Sequence, residues 1–199
     1  MKLRTGSILV AMVIVGSCGG TESTTPALGD AGCSAGYPEQ ATSRYVLPYS
    51  PGSEFMVGQG NCTDGSHEID TSQAYAYDID MPIGTPVIAS RDGIVVVVVE
   101  NWSENNDTPG QENYLIIEHD DGSIAGYYHL TEAGIDVEEG DQVFQGDSVA
   151  RSGNTGDSSG PHLHFEVATC EDCDTLPVNF GNTREHQFGL DEDDAYLAE

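Results

Sequence analysis

The chain has 199 residues, 38% of them hydrophobic, with 24 Gly and 9 Pro. That is enough apolar content for one core with many turns, on a prior of about 100–200 residues per domain. Asp and Glu number 34 against 6 Lys and Arg, a formal net charge of −28, which argues against nucleic acid and anionic lipid head groups as partners, since both need clustered Lys and Arg. A multi-span membrane protein is excluded too, because the only long apolar run near a terminus is Ile8 to Val15.

The first segment reads as an export signal. Lys2 and Arg4 supply positive charge, and Ile8 to Val15 is an apolar stretch too short to cross a bilayer. Val15–Gly16–Ser17–Cys18 resembles a bacterial lipobox, which implies a signal peptide over 1–17 and a lipid on Cys18 as the only membrane contact. Gly19 follows Cys18, where Asp would signal retention at the inner membrane. In a Gram-negative envelope this implies the periplasmic face of the outer membrane. Residues 18–43, rich in Gly, Ser, Thr, Ala and Pro, read as a flexible tether. Beyond the signal there is no Lys, and the only cations are Arg44, Arg91, Arg151 and Arg184. The acid excess reads as solubility. The run Asp191 to Asp194 lacks the spacing of an EF-hand calcium loop.

Four cysteines follow Cys18: Cys33, Cys62, Cys170 and Cys173. An even number in an oxidising compartment points to disulfides. Three pairings are possible, and the most economical joins Cys33 to Cys62 and Cys170 to Cys173. A structural zinc site would need two CxxC pairs, and a thioredoxin-like motif would need a βαβ context.

From Tyr45 onward the apolar segments are short and often broken. Pro86–Ala89 leads through Gly93 into Ile94–Val99, a β-branched run that reads as a buried strand. Tyr114–Glu118, the Asp120–Gly122 turn and Ile124–Leu130 read as a hairpin. Short strands follow around Val143–Phe144 and Val149–Ala150. The Gly- and Ser-rich segment 153–161 reads as a loop that delivers the alternating strand His162–Val167. No segment has the period of a long amphipathic helix. The expected fold class is mostly β with antiparallel neighbours, over a domain at 44–185 and an acidic tail at 186–199.

His162 and His164 are two apart on a strand, so both imidazoles face one side. Asp78 precedes a turn, and an Asp oxygen with His nitrogens suits zinc. His129 lies in the apolar stretch Tyr127–Leu130. Each residue alone has a plain structural explanation: a solvated pair, a turn Asp, a core His.

Together they resemble the LytM/lysostaphin-type zinc metallopeptidases, which cut peptide bonds in bacterial peptidoglycan. The resemblance is carried by "YAYDIDMPIGTPVIASRDGIV", "YLIIEHDDGSIAGYYHL" and "VEEGDQVFQGDSVARSGNTGDSSGPHLHFEV", in the family's order across about residues 75–167. It implies a small antiparallel β domain with a groove, of the duplicated-hybrid-motif type. It also implies zinc as cofactor, Asp78 and His164 as ligands, and His129 and His162 as catalytic histidines. The family's other ligand is a His four residues before the Asp, where this chain has Ala74. His67 is the nearest upstream candidate and is taken as the third metal ligand, with the residues between it and Asp78 looping out. His119 and His186 match no catalytic position. The reading is an endopeptidase acting on peptidoglycan peptides. Its alternatives are an inactive peptidoglycan-binding or hydrolase-activating module of the same fold, and a peptidase of Gly-rich proteins.

Overall fold

The computed structural model describes residues 36–199. The signal, Cys18, Cys33 and residues 18–35 of the expected tether lie outside the described residues. No α-helix occurs among those described, where Gln40–Thr42 forms a single 3-10 turn. The strands are β1 (Glu54–Gln59), β2 (Tyr77–Asp80), β3 (Pro86–Ile88), β4 (Gly93–Val99), β5 (Tyr114–Glu118) and β6 (Ile124–Tyr128). They continue as β7 (Leu130–Ile135), β8 (Gln142–Val143), β9 (Ser148–Ser152), β10 (His162–Ala168) and β11 (Ala195–Leu197). Eight form one sheet in the order β11-β1-β2-β10-β6-β5-β4-β8, and three form a second in the order β3-β9-β7. Every strand pair within the sheets is antiparallel, matching the expected class.

The core follows from strand alternation. On β10, Leu163, Phe165 and Val167 are buried in the main apolar cluster, and on β2 so are Tyr77 and Ile79. Val87 of β3, Val149 and Ala150 of β9 and Leu130 of β7 belong to the same cluster, so the small sheet covers the inner face of the large one. Because successive side chains point to opposite faces, His162, His164 and Glu166 are left on the other face of β10, and Asp78 on that of β2.

Three expectations change. The run Ile94–Val99 is not a buried strand. Only Val95 is fully enclosed, while Ile94 and Val96 are 43% and 37% exposed. This strand lies one from the end of the sheet, beyond it is only the two-residue β8, and a bulge between Val95 and Val97 turns Val96 outward. Second, the strand expected over Ile124–Leu130 breaks at His129, whose φ is +60°, where the chain leaves the large sheet for the small one. Third, the segment separated off as an acidic tail is built into the fold. β11 pairs with β1, and Leu190, Tyr196 and Ala198 join the core. The end of the expected tether is also docked: Gln40 Nε2 donates to the carbonyls of Phe180, Thr183 and Arg184.

The Cys170–Cys173 disulfide is formed. Cys62 packs beside the turn at Ala74, to whose carbonyl its own N–H donates at 2.7 Å.

Candidate metal centre

Register sets the site. Across adjacent strands Gln59 pairs with Asp78, Asp78 with His164, His164 with Tyr128, and Tyr128 with Tyr114. Directly paired residues share a face, so these five form one row across β1, β2, β10, β6 and β5. That row floors a groove to which His129, His162 and Glu166 also contribute.

Asp78 is the hub. Its Oδ1 lies 2.8 Å from His164 Nδ1, 3.6 Å from His67 Nε2 and 3.7 Å from His162 Nε2. His67 arrives from a loop rather than a strand. The intervening residues fold on themselves, with Thr71 Oγ1 donating to the carbonyls of Ser66 and Glu68 and Ala76 N–H to that of Gln73. This turn structure is what lets a His eleven positions before Asp78 reach it, while Ala74 faces the protein interior.

His67 is completely buried. Its Nδ1 is 3.1 Å from the Gly60 carbonyl, which only accepts, so Nδ1 carries the proton and Nε2 presents a lone pair. That Nε2 has no hydrogen-bond partner and faces an Asp78 carboxylate oxygen, a second acceptor. A buried acceptor turned toward a half-buried carboxylate is costly unless a cation lies between them. With His164, these residues offer donor atoms within 4.8 Å of one another. Two imidazoles and a carboxylate form a donor set suited to zinc, so the residues present fit that metal.

The histidines beside this group are held by backbone carbonyls. His129 Nδ1 donates to Thr155 O at 2.7 Å, and His162 Nδ1 to Gly160 O at 2.8 Å. In each ring Nε2 is therefore the free nitrogen. The two rings are 4.6 Å apart. Burial first, then the neighbouring His162, push His129 down to about 4, so it is neutral near pH 7. Burial also lowers His67. At Asp78 burial opposes the charge, but the His164 hydrogen bond and the surrounding imidazoles outweigh it and hold the carboxyl at about 2. His164, in the metal-free chain, is disfavoured as a cation by burial, yet its bonds to Asp78 and Glu166 raise it to about 9.

All five sequence-predicted site residues, His67, Asp78, His129, His162 and His164, thus come together. His119 and His186 lie elsewhere. His119 Nδ1 donates to Asp92 O, and His186 Nε2 accepts from the Phe180 N–H. Sequence reasoning missed Glu166, Tyr128 and Tyr114. Strand alternation could have found Glu166, two residues beyond His164. Tyr114 enters only through cross-strand register.

Residues 72–179 match the model of peptidase family M23. His67 lies just before that span. The chain is 41% identical over 90 residues to the peptidoglycan DD-endopeptidase ShyA of Vibrio cholerae serotype O1, covering 45% of this chain and 19% of that protein. It is 38% identical over 92 residues to lysostaphin of Staphylococcus staphylolyticus, covering 46% of this chain and 18% of that protein. The chain therefore spans about a fifth of the length of these relatives. In fold it is similar to the catalytic domain of the prophage-encoded M23 protein EnpA from Enterococcus faecalis, solved as a mutant, with a TM-score of 0.50 at 24% identity over 69% of this chain and 98% of that one. With the family match covering more than half of its residues, and a His–Asp–His group beside its groove, the chain belongs to peptidase family M23, a family of zinc metallopeptidases.

Proposed function

We propose that this chain is a zinc-dependent endopeptidase that hydrolyses peptide bonds in the stem peptides or cross-links of bacterial peptidoglycan. The observation that carries the reading is the orphaned Nε2 of His67 facing Asp78 and His164 at the base of a groove. Its family, and the peptidoglycan substrate in the name of ShyA, support it.

His67 through Nε2, Asp78 through Oδ1 and His164 through Nδ1 would hold the metal. Zinc bound there supplies a Lewis acid for the scissile carbonyl and brings the pKa of a water toward about 7. The chain's own residues do the rest. His129 is neutral near pH 7 and turns Nε2 away from its carbonyl anchor, so it can accept a proton from the attacking water. His162, beside it and within 3.7 Å of Asp78, is placed to hold a proton or to donate to the oxygen on which charge develops. The groove runs past both rings and positions an extended peptide.

The lipobox-like Val15–Cys18 stretch supports a lipid anchor on Cys18 and a location at the periplasmic face of the outer membrane. The Cys170–Cys173 disulfide suits an exported chain. Loss of the protein from the membrane fraction in Cys18→Ala tests the anchor; retention overturns it. The activity is tested by digesting purified peptidoglycan with zinc-loaded protein and identifying released muropeptides by mass spectrometry. Fragments that vanish in His164→Ala are expected, and their masses name the bond. No release from several peptidoglycan types, despite bound zinc, would overturn the endopeptidase reading in favour of a binding or activating module.

A further inference from the structure

Glu166 lies on the opposite side of His164 from the other metal donors. Its Oε2 is 3.3 Å from His164 Nε2, while the ring's other nitrogen, Nδ1, is 2.8 Å from Asp78. The two nitrogens of an imidazole point apart, so the carboxylate stands outside the group formed by His67, Asp78 and His164. Both side chains are buried, His164 at 5% and Glu166 at 8% exposure. We propose that Glu166 is a positioning residue: it accepts the Nε2–H of His164, fixes the tautomer that leaves the Nδ1 lone pair free, and sets the ring's angle toward the metal. This rests on the reading of His67, Asp78 and His164 as the zinc site.

Glu166 is itself held. The Tyr128 hydroxyl is close enough for the Glu166 carboxylate to add to the effect of burial in raising the hydroxyl's pKa. Register places Tyr128 opposite His164 and Gly126 opposite Glu166, and the Tyr128 ring lies over residue 126, toward the carboxylate. A Cβ on Gly126 would come within 2.5 Å of Tyr128 Cε2 and 3.1 Å of its hydroxyl oxygen. Glycine is what opens that path. From the other side Tyr128 stacks on Tyr114 at 5.3 Å, and the Tyr114 hydroxyl donates to Glu171 Oε1 at 3.2 Å. The line from Gly126 through Tyr128 and Glu166 to His164 has each link constrained by the one before. A carboxylate accepting from a ligating imidazole raises its basicity and locks its orientation, and losing such a partner costs about 10–100-fold in metal affinity. A residue there only to stabilise the fold would have no such effect.

The test uses the full chain, stripped with a chelator and titrated with zinc against a chromophoric competitor. Glu166→Gln keeps the shape and removes the carboxylate, and its zinc Kd is expected to rise by about 10–100-fold. The visible absorption bands of its cobalt-substituted form should shift, reporting a changed ligand field. Tyr128→Phe keeps the ring and deletes only the hydroxyl beside Glu166, and should move Kd in the same direction by less. Zinc Kd values and cobalt spectra equal to wild type in both variants overturn the inference, whatever their melting temperatures do. Failure of the wild-type chain itself to bind zinc overturns the metal-site reading beneath it, so the two failures are told apart.

Discussion

The hairpin β5–β6 has two ends that handle polar groups in opposite ways. At its turn, Asp120 and Asp121 meet Arg91 and Arg44. Arg91 is 3% exposed, pairs with Asp121 Oδ2 at 2.8 Å and also bonds Asp120, while Arg44 pairs with Asp120 at 2.8 Å. Charges there are matched. At the open end, Tyr114, Tyr128 and His129 look into a groove where the Nε2 of His67 lies 3.6 Å from the Asp78 carboxylate, in a donor set that fits a metal. The other two described arginines are also used elsewhere, Arg151 with Asp136 and Arg184 with Asp194. Charges are matched within the protein at one end of the hairpin, and the donor atoms of a metal site are gathered at the other.

That contrast can be broken by mutation. The largest effect is expected from His129→Asn. Asn tolerates the left-handed backbone at this position, so the substitution removes the imidazole with little conformational penalty. The value of kcat/KM should fall by about 10²–10⁴-fold with zinc content unchanged by elemental analysis. Loss of zinc as well would mean that His129 serves the metal rather than the proton.

Thr155→Val should show an intermediate effect. The Thr155 hydroxyl donates to Leu130 O at 2.9 Å and accepts the Asn113 N–H at 2.9 Å, and its carbonyl anchors His129. Valine leaves a buried N–H unpaired, costing about 1–3 kcal/mol of unfolding free energy. Activity should fall with it, because the anchor of His129 shifts. A stability loss with full activity would show that the carbonyl alone is enough.

The smallest effect is expected at the clamped end, and it depends on pH. The Ser123 hydroxyl first, then Arg91, hold Asp121 well below the ordinary carboxylate range, and Arg44 followed by Arg91 does the same for Asp120. A carboxylate depressed in the folded state stabilises above its unfolded value, about pH 3.9, and that contribution is lost as pH falls through the folded value. The melting temperature should therefore drop on acidification below about pH 4. Arg91→Met should lower it at neutral pH and shrink the acid-dependent part, with kcat unchanged. An equal drop in kcat would mean that the two ends of the hairpin are coupled.

Much of the site could be read from sequence because it lies on a strand. Alternation alone separates Leu163, Phe165 and Val167 from His162, His164 and Glu166, and the structure keeps that division. The proximity of Asp78 to His164 needed a resemblance, since residues 86 apart are joined only by register. His67 was harder. Its approach depends on a loop closed by side-chain bonds such as those of Thr71, which have no periodic signal. The partial exposure of Ile94–Val99 has no local signature because proximity to a sheet edge is a property of the whole topology. The break at His129 leaves no mark in the sequence because the chain changes sheets there within a single residue, inside a run of strand-forming residues.

The pairing of β11 with β1 also bears on how the chain can be handled. The last strand is three residues long and acidic at its approach, so it looks dispensable when a shorter version is designed for expression or crystallisation. Trimming it would bare the hydrogen-bonding edge of β1, the strand that carries Gln59 at one end of the groove row. A bared edge invites pairing with another copy. A truncated protein would then be prone to form an intermolecular sheet, and a poor yield of soluble material would come from the missing cover rather than from the catalytic half of the fold.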